Sequence, residues 1–537
     1  MNCSLFFRLL QLPFLLFLHI ATIAQSADII LANGKIFTSD TNQLYVEALA
    51  IKGNKILAVG SNAAINKLAT PKTNRIDLQG KTVVPGFNDA HDHLGWLSPI
   101  GVRFTYSEFN PSGLSKAAVL DSIARLVSIA KPNQWISGSI GTTILHDTSM
   151  RAALDRIAPN NPVVLQAWWG HGQVVNKKAL VTSGLSDSDK DPVGGWYIRS
   201  DIGKINSIME NAQVPVWTTY FGSDYDGQIK GLQSYAQAQL RGGLTTVQQM
   251  SSNYKLEQSN RFFTDAKLPQ RIRIIAWPRS TSSGRKLKDW DVKTNRLTTF
   301  VSISGIKYMI DGTPIEQNSM NKQPYKPGGT WYGRLNYPVD TITQILKEAL
   351  TSNRQLMMHI TGDSTMAIVL SLMKQLANGA VWQTKRVRIE HNSTPYITTA
   401  EVTAVKELGL LMMHTPKYCQ TSPIRSLMEK GITVGISPDG TTNPFWDIMV
   451  ITSQQTNPNE NITREQAVIA YTKTNAYAEF KEKEKGTLAK GMLADLAVLS
   501  QDIFTIPTKQ LPATQSVLTM VDGKIVYQNP QNMNTKK

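Results

Sequence analysis

Cysteine is nearly absent: the 537 residues contain two, Cys3 and Cys419. Cys3 precedes an apolar leader, so removal of that leader would leave Cys419 alone and exclude an intramolecular disulfide. Histidine is also scarce, with eight in the chain. Any histidine cluster must therefore draw on a large share of them. Acidic residues are outnumbered, 40 against 56 basic, which gives a formal charge of +16 and a pI near 9.5. Long basic runs and aromatic-interleaved basic patches are missing, so the excess reads as a solvated basic surface and no nucleic-acid partner is expected. No glycine-rich phosphate loop opens a helix after the first central strand, which argues against a doubly wound open sheet.

What is present suits a large folded protein. Apolar residues make up 41% and aromatic residues 8%, ordinary values for a chain that forms a core. The length exceeds one ordinary domain, and a large barrel with an appended domain would use it up. At the amino terminus, Arg8 precedes the apolar run Leu9 to Leu18, and small residues follow from Ala21 to Ala27. This pattern predicts an export signal over 1–26, cleaved before Gln25 or Ala27, and a periplasmic or secreted protein. The run is short and interrupted by Gln11 and Pro13, so no stable membrane anchor is expected after cleavage.

Two stretches at opposite ends share one grammar. Asn33-Gly34 and Gly53-Asn54 punctuate strand-like runs near the start, and Asp522-Gly523 does so near the end. Such turns between apolar runs predict hairpins. Residues 27–81 and 485–537 are therefore expected to pair into one composite β-sandwich domain, with a central domain over 82–484 inserted between them. The central part offers eight strand-like runs at 82–93, 243–250, 271–278, 301–310, 355–359, 386–391, 410–414 and 432–439. Most are separated by segments of helical character, such as 339–351, 364–376 and 399–408. This alternation predicts an α/β fold, a (β/α)8 TIM barrel whose chemistry lies at the carboxyl ends of its strands. An excursion at about 95–241 breaks the repeat and is expected to help cover the barrel mouth.

The strand ends supply a ligand set. His91 and His93 are two apart on one strand and so share a face. Lys307 lies in the fourth strand, His359 ends the fifth, His391 the sixth, and Asp439 the eighth. Each histidine alone would more often be a satisfied core or mouth residue. Together they point to a metal, since one ion would satisfy all these buried polar groups. Lys307 is the odd member, because an ammonium cannot coordinate a cation and an unmodified charge is costly to bury. An ion pair with Asp311 or Asp439 and an anionic carbamate both remain open. Asp363 and Glu390, beside the ligands, are expected to cap or to hydrogen-bond to them. Trp168, Trp169 and Trp446 are aromatic residues that could line a pocket, and His146 and His414 are not required by the ligand count.

These motifs resemble the metal-dependent amidohydrolase superfamily, specifically its amidohydrolase-3 branch, which includes N-substituted formamide deformylase-like enzymes. The resemblance rests on the run Val84 to His93, Gly170-His171, Ile306 to Gly312, His359 to Asp363, Arg388 to His391, Pro438-Asp439, and the closing run Gly486 to Leu499. It implies a barrel with a composite β domain and one or two divalent ions, most often zinc. By resemblance His91, His93, His359 and His391 are metal ligands, Lys307 is a carboxylated bridging lysine (N6-carboxylysine), Asp439 is both ligand and catalytic aspartate, and His171 faces the substrate. Two departures stand out. Ser437-Pro438-Asp439-Gly440 replaces the relatives' Gly-Ser-Asp pattern, and Trp168-Trp169 precede His171.

The implied activity is hydrolysis of an amide or related carbon–nitrogen bond of a small molecule by metal-activated water. Asp439 would serve as general base and then general acid, and His171 would stabilise the oxyanion. Ester or lactone hydrolysis, deamination and isomerisation are alternatives on the same site. A secreted binding protein on a degenerate scaffold is the non-enzymatic alternative. A small-molecule substrate is the expected partner, and a homodimer is kept open as the assembly.

Overall fold

All eight expected central strands form, and each pairs in parallel with the next. They are β1 (Phe87–Asp92), β2 (Leu244–Met250), β3 (Arg271–Ala276), β4 (Val301–Met309), β5 (Leu356–His359), β6 (Arg388–Glu390), β7 (Leu411–His414) and β8 (Val434–Ile436). The structure, a computed structural model, describes residues 26–94, 101–105, 110–288, 291–391, 397–418 and 421–529. The expected leader, apart from Ser26, and Cys419 lie outside the described residues. Among the described residues no helix is long and apolar enough to cross a membrane.

Helices between the strands form for local reasons that the sequence carries. Val339–Thr351 buries Ile342, Ile345, Leu346 and Ala349, the spacing that puts side chains on one helical face. Thr399–Leu408 starts at a capping box between Thr398 and Glu401 and stops at Gly409 with φ of 64°, a left-handed conformation that glycine adopts without strain.

The two edge strands, β1 and β8, share no ladder among the described residues. One side chain bridges the seam. The Asn475 amide donates to the Asn88 carbonyl at 2.7 Å and to the Ile436 carbonyl at 2.6 Å. At the carboxyl end, the Gly440 N–H donates to the His91 carbonyl at 3.2 Å.

The barrel interior is polar, where bulky aliphatic side chains usually dominate. Arg388 on β6 donates to Gln248 on β2 at 2.6 Å and to the Ala90 carbonyl on β1 at 2.7 Å. Arg273 on β3 donates to Gln248 at 3.1 Å and to Gln355 at 3.0 Å. Arg388 thus reaches β1 and β2, neither of which neighbours β6, so its bonds cross the lumen, while Gln248 also faces Arg273 on the adjacent strand. A polar lumen is tolerable only because these groups bond one another.

Both chain ends build the second domain. A six-stranded sheet mixes Lys35–Phe37, Tyr45–Val46 and Thr82–Pro85 with Leu496–Leu499, Ser516–Val521 and Lys524–Gln528. A four-stranded sheet comes from the early segment alone, and the two sheets share a core that includes Leu31, Leu49, Ile76, Val83, Leu496 and Leu518. Residues 82–93 are two strands rather than one. Thr82–Pro85 pairs with the terminal domain, and the barrel begins at Phe87. Gly86 makes the transfer, since a Cβ there would lie 2.2 Å from the Thr245 side chain. Arg271 ties the domains together by pairing with Asp495 at 2.7 Å and Asp522 at 2.9 Å.

Within the excursion, a six-stranded mixed sheet runs from Val102–Phe104 to Ile205–Glu210. Helices Lys116–Ile129 and Met150–Ile157 pack on it through Val119, Ile123, Met150 and Leu154. Helix Tyr225–Arg241 packs against β2, so this last part of the expected excursion belongs to the barrel's helical layer.

Asn475→Ala removes the amide that serves both seam carbonyls and leaves them buried. Unfolding in urea should show a loss of about 2 kcal/mol, the usual cost of stranding buried polar groups; an unchanged midpoint would show that Asn475 does not hold the seam.

Candidate metal centre and pocket

The six residues of the sequence-derived ligand set gather at the carboxyl end of the barrel. His91 is fully buried, with Nδ1 2.6 Å from Glu390 Oε2 and Nε2 2.8 Å from Lys307 Nζ. The carboxylate accepts a hydrogen bond from Nδ1–H, which makes Nε2, facing Lys307 Nζ, the lone-pair nitrogen. Arg388 Nε donates to the other Glu390 oxygen at 2.6 Å, so His91 is anchored to the lumen network. His93 Nε2 lies 3.5 Å from Asp439 Oδ1, and His91 Nε2 lies 3.8 Å from it.

The remaining imidazoles are oriented in similar ways. Thr415 Oγ1 donates to the Ser437 carbonyl at 2.8 Å, so it accepts from His391 Nδ1 at 2.9 Å and Nε2 is the lone-pair nitrogen. His359 Nε2 lies 3.3 Å from the Gly312 carbonyl, while its Nδ1 is buried with no hydrogen-bond partner. The His391 ring is 4.5 Å from that of His91 and 4.8 Å from that of His359. Burial, reinforced by neighbouring cations, holds His91, His359 and His391 well below the usual histidine range, and burial pulls His93 down to about 3. Four neutral rings, two of them beside the Asp439 carboxylate, form a candidate donor set for a transition metal.

Ligand atoms of His91, His93 and Asp439 lie within 4.8 Å of one another. With the orphaned nitrogen of His359, this arrangement fits a divalent ion. Burial works against charge on Asp439, but its surroundings, the Lys417 and Lys307 cations among them, outweigh it and hold the carboxyl below its usual range. Asp439 adopts φ of 62° and His391 φ of 60°. Left-handed backbone in non-glycine residues is strained and clusters at functional sites. Lys417 donates to the Asp439 carbonyl at 2.8 Å and steadies that conformation.

Lys307 makes no ion pair with Asp311. That carboxylate accepts instead from the N–H groups of Thr361 at 3.0 Å, Gly362 at 2.8 Å and Met320 at 3.3 Å. Burial brings Lys307 down to about 8, which raises the fraction of neutral amine near neutral pH.

His171 arrives from the excursion, just before strand Gly172–Val175. Its Nδ1 is 3.0 Å from Glu210 and 3.9 Å from Glu316, and its ring is 4.7 Å from that of His359. Burial opposes its charge, yet the two glutamates outweigh burial and raise it to about 9. Beside the cluster is a pocket of about 230 Å³ walled by Trp168, Trp169, Trp217, Tyr235, Trp277 and Tyr418. His171, Lys417 and Asp439 line it too. Trp446 is not part of this wall. His146 caps the short helix Thr142–Leu145. His414 is buried with neither ring nitrogen hydrogen-bonded and is absent from both the ligand cluster and the pocket lining. Asp363 begins helix Asp363–Leu376 and accepts from the Lys322 N–H at 2.7 Å.

Sequence reasoning did not find Glu210, Glu316, Lys417, Trp217, Tyr235 or Trp277. They are single residues scattered over several elements, and no spacing links them. Only Glu390 carried a signal, through its place next to His391.

The amidohydrolase family pattern (Amidohydro_3) matches residues 75–527. The chain belongs to the amidohydrolase family. Among its relatives, Protein LONG AFTER FAR-RED 3 of Arabidopsis thaliana is 25% identical over 93% of this chain and 92% of that one. N-substituted formamide deformylase of Arthrobacter pascens is 25% identical over 94% and 99%. In fold, the chain is similar to an uncharacterized metal-dependent hydrolase from Pyrococcus furiosus, with a TM-score of 0.64 and 20% identity over 89% of this chain and 100% of that one. A triazine hydrolase variant gives a TM-score of 0.54 at 15% identity, covering 95% and 96%. The family and these likenesses agree with the expected barrel and composite β domain and place the chain in the metal-dependent amidohydrolase superfamily.

Glu390→Gln keeps the side-chain volume but removes the charge that orients His91. Chelator competition should show divalent-metal affinity reduced about 10–100-fold, as for other outer partners of a ligating histidine, with near-UV circular dichroism unchanged. Unaltered affinity would free His91 from dependence on Glu390.

Proposed function

We propose that the protein is an exported metal-dependent hydrolase that cleaves an amide or related carbon–nitrogen bond of a small molecule. The observation that carries this reading is the Asp439 carboxylate, kept ionised and 3.5 Å from His93 Nε2 at the wall of the aromatic pocket. The name of the formamide deformylase relative supports the bond type, and the apolar leader supports export.

His91, His93, His359, His391 and Asp439 would hold one or two divalent ions, zinc being the reading favoured by the nitrogen-rich donor set. Lys307, as a carbamate, would supply a bridging anion; its lowered basicity and the missing Asp311 pair support that modification. The ion, when bound, supplies water activation and carbonyl polarisation. Asp439 accepts a proton from the attacking water and returns it to the departing nitrogen, which leaves as a neutral amine. His171, charged through Glu210 and Glu316, donates a hydrogen bond to the carbonyl oxygen as negative charge gathers there. The tryptophans exclude water and hold the apolar part of the substrate. The Asp439 backbone, pinned by Lys417, keeps the carboxylate aimed at that site.

Product analysis on a panel of N-substituted amides tests the reaction type. A released acid and amine support hydrolysis, ammonia would move the reading to deamination, and an unchanged mass would move it to isomerisation. Asp439→Asn should lower kcat by about 10²–10⁴-fold while the fold persists. In the pH profile of kcat/KM, the wild type should lose activity as pH rises through about 9, where His171 gives up its proton; His171→Gln should lack that limb and be about 10²-fold slower throughout. Elemental analysis should find about two equivalents of divalent metal, falling in Lys307→Ala. One equivalent unchanged by the substitution would rule out a bridging lysine.

A further inference from the structure

A second polar cavity, of about 570 Å³, lies at the opposite end of the barrel, where β3 and β4 begin against the terminal domain. Five cationic and three acidic side chains line it. Each acid already has a cation: Glu479 pairs with Lys485 at 2.6 Å, Glu484 with Lys481 at 2.6 Å, and Asp522 with Arg271 at 2.9 Å. Arg273 and Arg296 are left over.

Arg273 is the informative one. It is 4% exposed. Among the described residues, the other two buried arginines each hold a carboxylate, Arg151 with Asp187 and Arg388 with Glu390. Arg273 has none within ion-pair distance among the described residues, only neutral acceptors. Its Nε donates to Ser304 at 2.8 Å, and its Nη1 to Gln248 and Gln355. Nη2 donates to no group among the described residues, and the side chain borders the cavity. Close by, Gly305 adopts φ of 86° on β4, and a Cβ there would lie 3.5 Å from Nη2. Burial, with the nearby Arg388 cation, pulls this guanidinium down to about 10; Glu479 and Glu390 act against that shift without offsetting it, neither being within ion-pair distance. An uncompensated buried charge is strongly destabilising.

We propose that the basal cavity is an anion site in which the Arg273 guanidinium binds a small planar oxyanion of the carboxylate or bicarbonate class. A guanidinium edge matches such an oxyanion in shape and charge. The anion supplies the charge that the lining lacks, and Arg296 adds a second, more distant cation. Arg273 shares Gln248 with Arg388, so an occupant here also steadies the network that ends at Glu390 and His91. This site is at the other end of the barrel from the proposed catalytic pocket and does not rest on the proposed reaction.

The test is calorimetric unfolding of metal-free protein, so that no carboxylate can ligate a metal. Formate, acetate or bicarbonate replaces a bulky sulfonate buffer anion at constant ionic strength. A saturable rise in Tm is expected, about 3 °C at a hundredfold excess over Kd. Arg273→Met should abolish the rise, while Lys417→Met, at the catalytic pocket, should leave it. Arg273→Lys keeps a cation in the same space and covers the case of a misfolded methionine variant; it should shift the dependence to about tenfold higher anion concentration, since a point charge replaces the fork. No saturable rise in the wild type, or an undiminished rise without Arg273, would overturn the proposal.

Discussion

The bond between His91 and Glu390 is the constraint on which the rest of the candidate centre depends. It joins two fully buried groups, decides which imidazole nitrogen keeps its lone pair, and hands the carboxylate's remaining oxygen to Arg388. Through Arg388 and Gln248 the link runs down the lumen to Arg273. The orientation of a mouth residue is thereby tied to the whole height of the barrel. Such a polar lumen stays stable only while each member has a partner, so the network specifies one arrangement of the strands more narrowly than an aliphatic core would.

Electrostatics divides the mouth into two sides. On one, burial keeps four imidazoles neutral and available as ligands, while Lys417 and Lys307 help keep Asp439 ionised. On the other, Glu210 and Glu316 charge His171. Neutral imidazoles (His93, His391), an anionic carboxylate (Asp439) and a cationic imidazole (His171) therefore line one small pocket. Glu210, His391 and Asp439 hold it with positive φ angles, and the strain of these residues is borne by neighbours such as Lys417 and Thr415.

Sequence legibility followed physical range. The eight strands and the clearest helices were visible because hydrophobic period, caps and turns act over a few residues. His91, His93, His359, His391 and Asp439 were visible because a barrel brings the carboxyl ends of its strands together. The split of 82–93 at Gly86 was not visible, since Thr82–Pro85 and Phe87–Asp92 are both buried extended runs and only their partners differ. Glu210 and Glu316 were not visible either, because the excursion's sheet sets their distance to His171.

By itself, the sequence determined the alternation of strands and helices, the pairing of both chain ends, and the candidate ligand residue types with their positions at strand ends. Local propensity and strand topology suffice for these. Only the tertiary structure decided that Glu390 and Thr415 orient His91 and His391, which carboxylates charge His171, that Asp311 is occupied by backbone N–H groups, and that Arg273 has no carboxylate within ion-pair distance among the described residues. Those facts are distances between residues far apart in the chain, and only the closed barrel sets them.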